Sequence, residues 1–386
     1  MLNLTFIIPV LASLLILGLV GTLDNAYAEV CHTIADGSWD SAIWENALNN
    51  PCTPLESDDK SIDHIVTMSS SVNNSGVIAN FGTLTVSATF TNTGDIFNQN
   101  IMVFTSTAIV NNNGMFENFG GTVTLDQGGQ FNTNFAAGNA HFNNEQGTFT
   151  VNGSFTNLGD AHQSTNGVME ISGTLTNTGD DAFFDNRIGA NVTLLSGGTL
   201  DNLAGAKFDN KSGATLTNKD DVINDGAIIN SGTLSNNSGA NITNNNGSSL
   251  TNNSGATIVN NSGATLRNNP GSTLTNNFGA TITNDFGATI TNIGTTINNG
   301  VILECGTYTG NLPTPNGLVT CIITEDTTIS QDLTYPCGFT LTVNSGFVYT
   351  IDGDSTVTVC GPVTVKDDGG ILIMFGSTLW VLVNPE

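Results

Sequence analysis

The sequence predicts an all-β protein: a parallel β-helix, or β-solenoid, with roughly three short strands per coil. Three observations predict it. Gly239, Gly247, Gly255, Gly263, Gly271, Gly279 and Gly287 recur at every eighth position, each opening a variant of Gly-Ala/Ser-Thr-Ile/Leu-x-Asn. An apolar residue keeps step at Ile242, Leu250, Ile258, Leu266, Leu274, Ile282 and Ile290, as does an asparagine at Asn244, Asn252, Asn260, Asn268, Asn276, Asn284 and Asn292. A fixed short period marks stacked repeats. Within an octad the residues alternate as in a strand, Ala256 and Ile258 on one side, Thr257 and Val259 on the other.

Residues 1–28 read as a signal peptide. An apolar run from Leu4 to Leu23 precedes Ala26-Tyr27-Ala28, a small-x-small cleavage site. Residues 29–64 form an N-terminal cap, set apart by Trp39, Trp44, Cys31 and Cys52. Residues 65–300 are the solenoid, irregular at first and in strict octads over 239–298. Thr and Ile suit a pleated strand, and Gly with Asn-Asn supplies the corner between strands. Residues 301–386 keep the strand rhythm near Leu341, Tyr349, Val357, Val363, Ile373 and Trp380 and hold Cys305, Cys321, Cys337 and Cys360. A stack of parallel strands leaves an open edge at each end, so the two cysteine-bearing zones lie where caps are needed.

No Cys-x-x-Cys pair exists, which excludes the usual zinc and thioredoxin-like spacings, and disulfides are the expected state in an exported chain. Cys337 and Cys360 are 23 residues apart, close to three octads. If three strand–corner units close one coil, residues one coil apart stack about 4.8 Å away. That fits the Cα–Cα window of a disulfide and leaves Cys305–Cys321 and Cys31–Cys52. A flatter coil of two octads is the competing geometry.

The chain carries 7 Lys+Arg against 33 Asp+Glu, a net charge of −26. So little basic surface excludes nucleic acid as a partner and disfavours anionic lipid; once the signal is removed, no membrane insertion is expected. Only 10% of residues are charged, so Asn, Ser, Thr and Gly carry the polarity.

Asp36-Gly-Ser-Trp39-Asp-Ser-Ala-Ile-Trp44, then Pro54, Asp58-Asp59 and Asp63-His64-Ile65-Val66-Thr67-Met68, resemble the entry segment of many exported β-helix proteins. Gly82-Thr83-Leu84-Thr85-Val86 and Gly173-Thr174-Leu175-Thr176-Asn177 look like rungs of large surface adhesins. The resemblance implies a pectin-lyase-like, right-handed β-helix on a secreted or surface-displayed protein, with both tryptophans packed in the cap.

Enzymes of that fold cleave acidic polysaccharide with clustered carboxylates and a basic residue. The related hydrolases carry Asn-Thr-Asp, Asp-Asp, Gly-His-Gly and Arg-x-Lys in order. Here Asn177-Thr178-Gly179-Asp180-Asp181 is similar to a fragment, with Asp185 nearby, but neither Gly-His-Gly nor Arg-x-Lys occurs. No catalytic residues are therefore assigned, and the trio reads as loop chemistry. His32, His64, His141 and His162 are scattered without ligand spacing. No cofactor is expected; calcium is the candidate metal, at Asp352 and Asp354 and at Asp367 and Asp368.

Threonine pairs raise an ice-binding alternative. Thr273/Thr275, Thr281/Thr283 and Thr289/Thr291 are complete pairs, but three faces per coil separate them, and Asn241, Ser249, Val259 and Arg267 interrupt the rows. No flat array is expected. Asn-x-Ser/Thr acceptors abound, among them Asn73, Asn152, Asn191, Asn236, Asn241, Asn252 and Asn260. The function that fits best is a non-enzymatic structural or adhesive element, secreted or at the cell surface. Its partners would be surface glycans, other surface proteins or further copies of itself. Ligand contact is expected on the irregular stretch 95–190, where Phe97, Phe104, Phe116, Phe135 and Phe142 and acidic residues break the rhythm, although most of these phenylalanines are expected in the core. The alternatives are a polysaccharide-active β-helix enzyme and an ice-binding protein.

Overall fold

Each octad becomes one four-residue strand and one corner. The computed structural model describes residues 30–381 apart from 42, 47–48, 135–140, 181, 315–318, 324–325, 331, 336–339 and 375. The expected leader, Phe135, Asp181 and Cys337 lie outside those residues. Strands Ser249–Asn252, Thr257–Asn260 and Thr265–Asn268 occupy three different sheets, called A, B and C below. The next octad, Thr273–Asn276, then pairs in parallel with Ser249–Asn252 in the register Leu250↔Leu274 and Asn252↔Asn276. Three octads therefore close one coil, and the two-octad alternative is excluded. Sheets A, B and C contain 14, 16 and 12 strands.

Inside the coil two residues per strand face the core. In Thr257–Asn260 these are Ile258 and Asn260, both fully buried. The apolar position is filled by Ile and Leu in the octads. Upstream it holds phenylalanine: Phe90, Phe116, Phe131, Phe142, Phe149 and Phe155 are all buried there, with Phe131 and Phe155 stacked at 5.3 Å, and Phe104 fills the other inward position of its strand. Large rings there fill the column with area-rich contacts. At the corner, Gly255 adopts φ +79°, a left-handed conformation that costs glycine little, and its N–H donates to the carbonyl of Gly279 one coil on.

Buried asparagine tolerates the core because its amides are paired along the axis through the body of the column. Asn252 Nδ2 donates to Asn276 Oδ1 at 2.9 Å and to the Thr281 carbonyl at 2.8 Å across the corner. Asn260 repeats this with Asn284 and Thr289, and Asn244 with Asn268 and Thr273. A buried amide left unpaired would be costly, so each rung needs the next. These amides all point one way, Nδ2 toward the C-terminal rungs. Near the acceptor end of the sheet C row, the buried Lys60 ammonium donates to Asn74 Oδ1 at 3.0 Å. At the donor end of the sheet B row, Asn284 Nδ2 donates to the buried carboxyl of Glu304. Asn236, Asn252 and Asn260 sit at 0% exposure within these rows. They spell glycan acceptors but offer no accessible amide in the folded chain.

The caps use different devices. Val30–Thr33 pairs antiparallel with Trp44–Asn46, and Cys31 is bonded to Cys52. Trp39 and Trp44 are buried edge-to-face at 5.0 Å, with Trp44 Nε1 donating to the Trp39 carbonyl at 3.0 Å. The solenoid begins earlier than the boundary at 65, since Asp59–Ile62 already pairs with Val77–Asn80. It also continues past 300: Thr307–Gly310 pairs with Thr289–Asn292, and the first core ends at Tyr308. A second core runs from Cys321 to Val359, flanked by two three-stranded sheets, while sheet B passes beside both cores. All six strand centres expected there fall in strands. Cys305 is bonded to Cys321, and Cys360 is disulfide-bonded.

The outward residues sort by sheet. Thr273/Thr275, Thr281/Thr283 and Thr289/Thr291 do lie on sheets A, B and C respectively. The interruptions, however, do not all fall on one sheet. Rows form between residues one coil apart, and of the four interruptions only Val259 lies on sheet B.

Candidate functional site

The irregular rungs place chemistry on the outer face of sheet A. Strands Met115–Phe119, His141–Glu145, Asp160–Ser164, Phe183–Asn186 and Lys207–Asn210 pair successively there. Their register builds two outward rows. One runs Met115, His141, Asp160, Phe183, Lys207; the other runs Glu117, Asn143, His162, Asp185, Asp209. Although they point outward, Asn143, His162, Asp185 and Asp209 are all under 9% exposed.

Three of the chain's seven basic residues converge on these carboxylates. Lys211 Nζ bonds Asp209 at 2.5 Å and lies 3.2 Å from Asp185. Lys207 lies 3.2 Å from Asp209, and Arg187 Nε 3.6 Å from Asp185. Lys207 and Lys211 also sit 4.7 and 5.4 Å from the centre of the Phe183 ring. Asp185 and Asp209 are neighbours one rung apart, and two buried carboxylates that close require such cations. Burial raises the Asp185 pKa, opposed by Lys211 and Arg187. Burial pulls on Lys211 too, but its bonds to Asp209 and Asp185 outweigh this and raise its pKa.

His162 joins the cluster from the rung below, its ring 4.8 Å from His141. Burial, with Arg187, His141 and Lys211 adding to it, pushes its pKa down to about 3. The 3.6 Å approach of Nδ1 to Asp185 is therefore a contact of a neutral imidazole at pH 7. A folded pKa below the ordinary 6.5 gives stability that is present above pH 6.5 and lost as pH falls toward 3. His162→Gln is expected to flatten the fall of the thermal midpoint between pH 6.5 and 4 relative to the native chain. Parallel melting curves would show that His162 is not the group responsible.

A shallow groove of about 680 Å³ adjoins the cluster, at the corner leading from sheet C into sheet A. Asp180, Phe183, Gly205, Lys207, Asp225 and Ser249 line it on consecutive rungs. Small residues at these corners leave the trough open, and it joins the charged rows through Phe183 and Lys207.

No protein-family model matches the chain, and comparison with curated proteins returned no match. Among solved structures, the TibC-catalyzed hyper-glycosylated TibA fragment is similar at 14% identity and a TM-score of 0.31, over 91% of this chain and 94% of that one.

Other sequence-derived candidates are not brought together. Asp352 accepts from the Gly353 N–H, and Asp354 shares that corner at φ +58°. Asp367 and Asp368 occupy a different corner, where Ser345 Oγ donates to Asp368 and holds its pKa down. Among the described residues no group of three or more His, Cys, Asp or Glu is placed to hold a metal. Of the phenylalanines on the irregular stretch, most of which were expected in the core, Phe104, Phe116 and Phe142 are core, while Phe97 faces outward on sheet A. Asp185, set aside as loop chemistry, is the centre of the charged rows. His141, His162, Lys207, Asp209 and Lys211 were missed as a group. Coil-length offsets of 19 to 26 residues, applied to outward positions, are the signal that finds them.

Proposed function

We propose that this chain is a structural and adhesive β-solenoid, secreted or displayed at a cell surface, which contacts its ligand through the outer face of sheet A. The observation that carries this reading is the joining of the charged rows to the open groove at Phe183 and Lys207, on a column whose amide rows hold it rigid. Cations, carboxylates and amides fixed at one-rung spacing suit the hydroxyls and acidic groups of a surface glycan. Retention of the purified chain on cells or on a carbohydrate array tests it. Lys207→Ala, which leaves Lys211 on Asp209, is expected to reduce retention about tenfold, near 1.4 kcal/mol, with an unchanged melting point. No retention by the native chain on either surface would end this reading.

The polysaccharide-enzyme alternative draws on the same carboxylates. Its measurement is the appearance of reducing ends or unsaturated products from acidic polysaccharides. Asp185 and Asp209 are each about 5% exposed or less, so substrate would first have to displace Lys211 and Phe183.

A further inference from the structure

Sheet B presents a surface unlike the other two. From Ile65–Met68 to Val301–Glu304, twelve strands stack in unbroken parallel register, and each turns its first and third residues outward. Apart from Asn191, Glu170 and Ser235, every one of these outward positions is Thr, Val, Ile or Leu. Pairs such as Thr122/Thr124, Thr148/Thr150 and Thr215/Thr217 repeat the same two hydroxyl-and-methyl sites on different rungs. Glu170 is the one charge on the face, in a chain of net charge −26.

Two fixed distances define this lattice. Rungs repeat at about 4.8 Å along the axis, and outward neighbours within a strand are about 6.7 Å apart. The face extends about 50 Å at that rung spacing. Threonine is stiff at χ1, so neighbouring hydroxyls are held in rank before any ligand arrives. Sugar recognition would call for aromatic rings and amide–carboxylate pairs, which this face lacks. Its charge state complements an uncharged, periodic hydrogen-bonding lattice. Alternating methyls and hydroxyls favour caged, ordered water over the tight hydration shells of ions.

We propose that the outer face of sheet B binds ice through its two rows of threonine and β-branched residues. It is a second binding face, separate from the sheet A groove, and it stands or falls independently of glycan retention. Partition of the purified chain into slowly growing ice, with thermal hysteresis, tests it. The native chain is expected to concentrate in the ice fraction. Thr150→Lys combined with Thr217→Lys is expected to lower that partition at least fivefold with circular dichroism unchanged, whereas Thr243→Lys on sheet C leaves it intact. Exclusion of the native chain from ice, or equal partition by the sheet B and sheet C variants, overturns the proposal. A native dimer that the sheet B variant converts to monomer, without ice partition, would assign the face to a second copy of the chain and overturn it as well.

Discussion

Replacing Asn260 by leucine is expected to lower the unfolding free energy by about 2–5 kcal/mol, although the side chains are close in size. Asn260 accepts from Asn236 Nδ2 at 2.8 Å and donates to Asn284 Oδ1 at 2.7 Å and to the Thr289 carbonyl at 2.9 Å. Leucine takes one acceptor from the Asn236 amide below, which keeps the Thr265 carbonyl, and leaves Asn284 Oδ1 above without its donor, at 0% exposure where water does not reach. The cost is that of stranded polar groups, which exceeds any gain from an added apolar side chain. Thr257→Ala, outward on the same strand, removes no such partner and should change stability by roughly 0.5 kcal/mol or less. Urea unfolding followed by circular dichroism makes the comparison. Equal midpoints for the two variants would show that the amide row contributes nothing to the stack.

Glu304 supplies the second large effect, and it depends on pH. The carboxyl is buried, and burial raises its pKa from 4.5 to about 8, against the lowering influence of Asn284 and the Gly306 backbone. A folded pKa above the unfolded one gives stability that is complete below pH 4.5 and is lost as pH rises through about 8. At about 1.36 kcal/mol per pKa unit, the loss across that window is on the order of 5 kcal/mol at most. Glu304→Gln keeps an acceptor for Asn284 and cannot ionise. Its unfolding free energy should stay level from pH 5 to 9 relative to the native chain, and near pH 8.5 the variant should be the more stable of the two. A native chain whose stability parallels the variant's across that range would place the carboxyl's titration elsewhere.

The octads made the column legible before any coordinates. The inward Ile and Leu, the stacking asparagines and the strands after residue 330 follow from period and alternation. They were readable because backbone pairing at constant rung spacing converts a sequence interval into a spatial neighbour. Three octads to a coil, by contrast, had a two-octad rival, and the Cys31–Cys52 and Cys305–Cys321 pairings were only what remained once Cys337 was set against Cys360. The sheet A rows were not readable that way. Between Met115 and Lys207 the corners differ in length, so neighbours on the surface are 26, then 19, then 23, then 24 residues apart. Asp160 and His162 look like isolated polar residues in sequence, and only the register sets them beside His141 and Phe183. The threonine pairs are visible in the sequence, but their arrangement as a face is not, for the opposite reason. Its regularity is visible only down one sheet, whereas reading along the chain visits A, B and C in turn and mixes it with Asn241 and Arg267.

The single sense of the amide rows has a consequence for how molecules meet end to end. A bare row would display unsatisfied acceptors at one tip and donors at the other, the complementary surfaces from which open-ended fibres grow. Lys60 answers the acceptors of one row, and Glu304 takes the last donor of another. A second chain approaching along the axis therefore finds those two row ends already terminated, whereas the sheet A row still ends on Asn298, whose Nδ2 has no partner among the described residues.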